Sequence, residues 1–562
     1  MMAAPAPMRI VRGERRRIDV WLLVALLGAV PVSVPALVIL GYLFAPYGDI
    51  WHHLAQTVLP RYVLNTVSLL VGVGAAVLVT GVATAWVVTM CEFPLRRAFE
   101  WALLLPLAMP AYVVAYTYTG LLDVAGPVQG TLREWGVLSP GDWFLPIRSL
   151  GGAVAVLGVV LYPYVYLLAR AAFLQQSVAA LEVSRTLGRG PWHGFLHVGL
   201  PLARPGIAAG LALALMEVIN DFGTVQYFAV DTFTTGIYRT WLALGSPSTA
   251  AQLSAALMAF ALALVVMERL SRGGARFHHT GGRYQRLPGY RLRGAGKAAA
   301  FAVCALPVLV GFAVPACALA IWAAETASQV ADARFRGYVM NSLVLATSAA
   351  ALTTALALAV GYALRVRPRP MAVAAARLAT AGYAVPGAVI AVGVMLPFAQ
   401  FDNALDAWMR ARFGLSTGLI LSGTIAAVLF AYMARFFAAA FNGVEAGLAK
   451  ITTSMDAAAR TLGLGPGRTL VRVHLPMLWS SVLTAGMIVF VDVMKELPAT
   501  LIIRPFNFDT LAVRTFEMAS DEQLHMAAVP ALAIVCAGIL PVIVISRGIG
   551  RGRPGHGAAG GA

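Results

Sequence analysis

The chain reads as a succession of apolar runs, most near twenty residues long, separated by short polar stretches rich in arginine and glycine. Twelve runs stand out, near 20–45, 62–90, 101–121, 149–173, 205–229, 252–269, 298–322, 340–364, 374–399, 416–441, 478–503 and 527–546. A helix rises about 1.5 Å per residue, so about twenty apolar residues match the hydrocarbon thickness of a bilayer. In lipid no water satisfies backbone N–H and C=O groups, so each run is predicted to be a transmembrane helix. The first follows a basic head and exceeds a signal-peptide core, so it is predicted to be a retained span.

Composition supports this pattern. The 562 residues are 59% hydrophobic and 12% charged, against about 25% charged in an ordinary soluble domain. A soluble fold would need large buried helices without polar faces. The net charge is +17, from 42 Lys+Arg against 25 Asp+Glu. With the N-terminus placed in the cytoplasm, about 31 of the basic residues fall on the inner side and about 11 on the outer side, as the positive-inside rule requires. Membrane topology thus accounts for the basic balance, and no nucleic-acid partner is needed. Four scattered cysteines, Cys91, Cys304, Cys317 and Cys536, form no CxxC spacing and point to neither a disulfide framework nor a zinc site.

The chain repeats itself. "SRTLGRGPWHGFLHVGLP" (184–201) and "ARTLGLGPGRTLVRVHLP" (459–476) share nine of eighteen positions at an offset of 275. "VLNTVSLLVGVGAAVLVTG" (63–81) resembles "VMNSLVLATSAAALTTALA" (339–357), setting Asn65 against Asn341, and Pro110 falls against Pro386. The expected organisation is two six-helix halves, 1–275 and 296–562, joined by a basic linker, 276–295. Six is even, so the halves are parallel and related by an axis along the membrane normal. The fold class is therefore all-α integral membrane, with two parallel six-helix repeats.

Both copies of the 18-residue motif lie between the fourth and fifth spans of their half. Each is predicted to be a short helix stopped by glycine, Gly188 or Gly463, then a Gly-Pro turn, then a second segment reaching Leu-Pro where the next span begins. A polar helix-turn-helix repeated with twofold geometry suggests docking to a symmetric partner. The spacing resembles the E-A-A-x3-G-x9-hydrophobic-x-L-P loop of ABC importer permeases. In the first copy the matching residues are Glu182, Gly188, Val198, Leu200 and Pro201. In the second they are Ala457, Gly463, Val473, Leu475 and Pro476. Arg185 and Arg460 occupy equivalent positions. Both copies depart from the pattern: the first replaces the two alanines, and the second has Ala457 in place of the glutamate, with Asp456 one residue earlier.

That resemblance implies an ABC permease fold, two ABC ATPase copies docked at 182–201 and 457–476, and a periplasmic binding protein. It also implies a bacterial inner-membrane location with both termini cytoplasmic. ATP and Mg would sit on the partner ATPase, with no cofactor and no hydrolysis on this chain. In agreement, no G-x-x-x-x-G-K-[ST] occurs; "GAGKAAA" (294–300) lacks the first glycine and the hydroxyl. Segments 109–134, 221–241 and 495–522 are similar to fused ferric-iron importer permeases, and this resemblance covers nearly the whole chain. Related fused permeases carry thiamine or phosphonates. Permeases for sulfate, molybdate and polyamines are expected to share only the generic loop.

The residues of the fifth and eleventh spans offer an independent indication. Glu217 and Asp221, in "MEVINDFG", are spaced i and i+4, as are Asp492 and Glu496 in "VDVMKELP", and the two pairs match at the 275 offset. Intramembrane carboxylates are costly and mark water-filled paths or charged partners. Hard oxygen ligands suit a small, highly charged cation. The structural alternative is neutralisation by Lys495 and hydrogen bonding by Asn220. Tyr227, Tyr238, Arg239, Arg504 and Arg514 are placed near the outer face, as contacts for a binding protein or a released anion, or as interfacial anchors. An ion-coupled secondary transporter also has six plus six helices, but it has no need of the repeated docking loop, and "CEFPLRRAFE" lacks its Gly-Asp-Arg pattern. A membrane enzyme is disfavoured because no HExxH or paired ligand set occurs.

Overall fold

The structure is a computed structural model that describes residues 19–139, 144, 146–175, 191–272 and 290–551. Among these, ten helices are long and apolar enough to cross a membrane. A further pair, Arg96–Ala108 and Ala111–Glu134, is together long and apolar enough but bends by 89°. The last apolar run forms Leu524–Arg551, whose apolar part is the shorter Leu524–Ile539. Each of the twelve predicted runs contains helix, although in the tenth the helix starts only at Ile425. Among the described residues, the β-structure is one pair of two-residue strands, Cys91–Glu92 parallel to Tyr290–Arg291.

Unbroken helices were expected, and four runs depart from this at matched places. In the third run the chain is extended at Met109 and Pro110 before Ala111–Leu122 starts. In the ninth, the turn Gly382–Ala384 leads to extended Val385 and Pro386 before Gly387–Phe413. Proline disfavours helical backbone at its predecessor, and at Met-Pro and Val-Pro the chain takes the extended step. The fifth span ends at Asn220, and a short helix, Gly223–Tyr227, follows. The eleventh ends at Met494, followed by Pro498–Ile503. Phe222 (φ −116°, ψ −45°) and Leu497 (φ −115°, ψ −51°) match at the 275 offset.

Backbone carbonyls in the loops beyond the two short helices are satisfied by side chains from elsewhere, as a low-dielectric setting requires. Asn65 donates from Nδ2 to the Asp231 carbonyl at 2.8 Å, and Asn341 donates to the Asp509 carbonyl at 3.1 Å. The two asparagines matched by sequence thus do the same work in the two halves.

The first helix of each half crosses to the other half. Val20–Gly41 packs on Ala333–Val366, Pro370–Ala381 and Gly387–Phe413. Ala295–Val308 packs on Leu59–Met90, and the wide turn Leu309–Ala313 on Leu150–Gln175. The apolar core reflects the exchange: Ala29, Val32 and Ile39 belong to a cluster built mainly of second-half residues, and Cys304, Leu319 and Trp322 to one built mainly of first-half residues. Apolar side chains on outward faces, such as Leu27 and Val79, are exposed, as suits contact with lipid tails.

Candidate functional site

The helix breaks meet around one cavity open on one side. Its wall includes Pro110 and Tyr112 from the first half, Pro386 and Arg435 from the second, and all four predicted carboxylates. Glu217, Asp221, Asp492 and Glu496 therefore converge, which sequence spacing alone could not establish. Among the described residues, no group of three or more His, Cys, Asp and Glu is arranged to hold a metal ion.

The four acids do two different jobs. Asp221 accepts from the Thr224 and Val225 backbone N–H groups, both at 3.1 Å, and from the Thr224 hydroxyl at 2.9 Å. Glu496 accepts from Ala499 N at 3.0 Å, Thr500 N at 3.0 Å and the Thr500 hydroxyl at 2.6 Å. Each carboxylate thus satisfies the open N–H groups of the short helix that follows it. Glu217 and Asp492, four residues earlier, lie on the spans themselves and face the cavity.

The cations break the symmetry. Arg435 donates from Nη1 to Glu496 Oε1 at 2.9 Å, and the residue at the 275 offset is Val160. Lys495 lies 3.1 Å from Asp492; neutralisation of Glu496 therefore falls to Arg435 rather than to its neighbour in sequence. Asn220, matched to Lys495, accepts from the backbone N–H of Gly387 at 2.8 Å and links the fifth span to the ninth. Close approach fixes the crossing: a Cβ at Gly223 would lie 2.7 Å from Tyr112 Cβ and 2.9 Å from Leu497 Cδ2. Only glycine fits between these two side chains.

Of the two repeated loops, Glu182, Arg185 and Gly188 lie outside the described residues, whereas the second copy is described throughout. There Thr453–Thr461 is a helix. Gly463 has φ +76°, Leu464 N donates to Ala459 O at 3.0 Å, and Gly463 N donates to Arg460 O at 3.0 Å. This is the Schellman closure, which favours glycine at its left-handed position. Ala457, Arg460 and Gly463 are exposed, and Leu462 is 79% exposed. Leu475 is half-buried and Pro476 exposed, while Leu200 and Pro201 are half-buried.

As expected, Leu-Pro opens the α-helix of each span, Leu200–Asn220 and Leu475–Met494, and in the second half the helical path continues back to Pro466. A wide π turn, Leu470–His474, comes just before Pro476, and Phe195–Gly199 stands in the same place before Pro201. Proline offers no N–H to the preceding turn, and a π turn accommodates the missing bond.

The residues placed near the outer face are engaged within the chain. Arg239 lies 3.1 Å from Asp231, Arg504 pairs with Glu517 at 2.7 Å and with Asp509, and Arg514 is 3.5 Å from Glu517. Tyr227 lies under Arg148, which pairs with Glu522 at 2.8 Å. Tyr238 stacks on Phe222 with ring centroids 4.6 Å apart.

A polar cavity lined by both halves, with an exposed helix-turn loop in the second half, fits a binding-protein-dependent importer permease. Residues 77–272 match the family "binding-protein-dependent transport system inner membrane component". The Fe(3+)-transport system permease protein FbpB 2 of Haemophilus influenzae is 26% identical over 489 residues, which is 86% of this chain and 89% of that protein. The molybdenum transport system permease protein ModB of Escherichia coli K12 is 30% identical over 200 residues, 34% of this chain and 84% of that protein. The sulfate transport system permease protein CysT of the same strain is 30% identical over 151 residues, 27% of this chain and 52% of that protein. The chain belongs to this family of multi-pass inner-membrane permeases. The likeness to the molybdenum permease extends well beyond the loop, which corrects the expectation that such permeases share only that element.

Two functional groups escaped the sequence reading. Arg435 sits in "LFAYMARFFAAAF", and a lone arginine in an apolar span was itself the signal. Arg365, in "YALRVRPRP", was counted only as one of several inner-side charges.

Proposed function

We propose that this chain is the membrane subunit of an ATP-driven importer of ferric iron. The observation that carries the substrate is the reach of the likeness: the ferric-iron permease aligns over 86% of this chain and 89% of its own length, so it accounts for both halves and the linker at once. A periplasmic binding protein delivers iron at the outer face, and two ATPase copies engage 182–201 and 457–476. The N- and C-termini are then cytoplasmic, with 1–275 and 296–562 as the two permease halves. ATP and Mg act on the ATPase, and this chain supplies the route.

The route runs through the cavity. ATP-driven closure of the ATPase pair rocks one half against the other and opens the cavity to each side in turn. Glu217 and Asp492 offer carboxylates to a cation in transit. Asp221 and Glu496 line the same route and also hold the broken helices in place. With Arg435 and Lys495 against four carboxylates, the wall keeps a formal excess of negative charge, which favours a cation.

Radiolabelled ferric-iron uptake in a strain lacking this gene, with and without the wild-type copy, tests the reading. Restoration of uptake by the copy, dependent on the ATPase, is the expected result. A second reading, a molybdate-like oxyanion, draws on the 30% identity to the molybdenum permease and on the two cavity cations. Loss of molybdate uptake with iron uptake unchanged would replace the first reading by the second.

A further inference from the structure

We propose that Arg365 is the positioning residue of the second coupling loop, acting through Asp456, and that Asp456 serves this internal clamp instead of meeting the ATPase. The inference rests on the permease reading above and specifies how one of its two loops is built.

The sequence poses the problem. The generic loop places a glutamate where this copy has Ala457, and the only acid nearby, Asp456, comes one residue early. One residue turns a helix by about 100°, so the two positions face different ways. Ala457 is exposed. Asp456 turns inward and meets Arg365, which donates to Asp456 Oδ2 from Nε at 3.1 Å and from Nη2 at 2.8 Å. Such two-pronged, charge-assisted bonds fix orientation as well as distance.

The same guanidinium holds a second element. Arg365 donates from Nη1 to Leu448 O at 2.7 Å and from Nη2 to Ile451 O at 2.8 Å, at the C-terminal end of Ile425–Leu448. A cation there also complements the helix dipole. Tyr362, one turn before Arg365, donates its hydroxyl to Pro466 O at 2.7 Å. Buried His474 places Nε2 2.7 Å from Asp456 Oδ1, off the hydrogen-bond direction. One arginine on the eighth span thus grips both the loop helix and the end of the tenth span.

The tenth span leads to the cavity. Arg435 lies thirteen residues before Leu448, about 20 Å along a helix, and holds Glu496. A displacement of the loop helix therefore has a continuous hydrogen-bonded and helical connection to the cavity wall. The first half cannot repeat it: the residues matched to Arg365, Asp456 and His474 are Thr89, Leu181 and Gly199. In sequence, this trio belongs to the second half alone.

The test uses the full chain with its ATPase and binding protein, and reads membrane abundance, ATPase co-purification, ATP hydrolysis and iron uptake. Asp456→Asn is expected to keep abundance and co-purification while uptake per ATP hydrolysed falls about tenfold, within the usual range of coupling factors. Asp456→Glu should recover most of that ratio. The decisive variant moves the acid, Asp456→Ala with Ala457→Glu: it restores the generic pattern without reaching Arg365, and the ratio is expected to stay low. Recovery of the ratio in that variant overturns the proposal, because the acid then works toward the ATPase. An unchanged ratio in Asp456→Asn overturns it as well, as does loss of the ATPase from that variant. Should Asp456→Asn fail to reach the membrane, Arg365→Lys keeps the charge but loses the fork. A low ratio there supports the clamp, and a normal one overturns it. Gly463→Val reports separately on docking: a dislodged ATPase there upholds the permease reading whatever Asp456 shows.

Discussion

Replacing Arg435 by alanine removes the only cation that pairs with Glu496 among the described residues. The side chains of Arg435 and Glu496 are 12% and 1% exposed, so the carboxylate would be left charged in a nearly dry site. Breaking a buried pair from one side costs about 3–5 kcal/mol. Glu496 keeps its two backbone N–H donors and the Thr500 hydroxyl, so the loss should fall at the lower end, about 3 kcal/mol. Lys495→Ala provides the scale. Lys495 and Asp492 are 27% and 25% exposed at the cavity, and a wetter pair contributes about 1 kcal/mol or less. Thermal unfolding of the detergent-solubilised protein, followed by loss of the monodisperse peak, should rank Arg435→Ala well below Lys495→Ala. The double variant Arg435→Ala with Glu496→Gln, which removes the orphaned charge, should recover part of the difference. Equal stability of the two single variants, or no recovery in the double, would refute the reasoning.

Three further outcomes are expected. Glu217→Gln should leave stability within about 0.5 kcal/mol while cutting iron uptake, whereas Asp221→Ala should lose about 1–2 kcal/mol with its cap; thermal midpoints and uptake measured side by side separate the two. Gly463→Ala forces a side chain into left-handed backbone and should cost about 1 kcal/mol, seen as weaker ATPase retention on co-purification at unchanged membrane abundance. Asn65→Leu and Asn341→Leu should each destabilise by about 1 kcal/mol and by similar amounts, since each loses one bond to a matched carbonyl; a large difference between their thermal midpoints would contradict the equivalence of the two halves.

Much of the fold was legible because apolar length and internal repetition are properties of sequence. The pairing of Asn65 with Asn341 and of Pro110 with Pro386 pointed directly to matched structural roles. Convergence of Glu217, Asp221, Asp492 and Glu496 was suggested by spacing, but it depends on two helices meeting across the repeat axis, which no local pattern encodes. The division of labour among them was also hidden. An acid followed three and four residues later by Thr224 and Val225, or by Ala499 and Thr500, is a cap only if the helix breaks there. Apolar continuity through "DFGTVQYF" and "ELPATLII" masked those breaks. Asp456 looked like a displaced docking acid because its partner, Arg365, lies 91 residues earlier. Exchange of the first helices left no trace at all, since an apolar face reads alike against lipid and against protein.

That exchange bears on how the protein is made. Val20–Gly41 is synthesised nearly three hundred residues before Ala333–Val366, the helix it rests against. At ribosomal speeds the interval is on the order of tens of seconds. For most of it the helix has only lipid, and whatever tends nascent spans, until Pro247–Arg272 offers a first small contact. Its sequence suits the delay: no charged side chain interrupts it, and Ser33, its one hydroxyl, is satisfied by the Ala29 carbonyl of its own preceding turn at 2.9 Å. A polar side chain placed on that face for a better eventual fit would have to survive the delay unpartnered. The chemistry of this first helix is thus constrained by the order of synthesis as well as by its final neighbours.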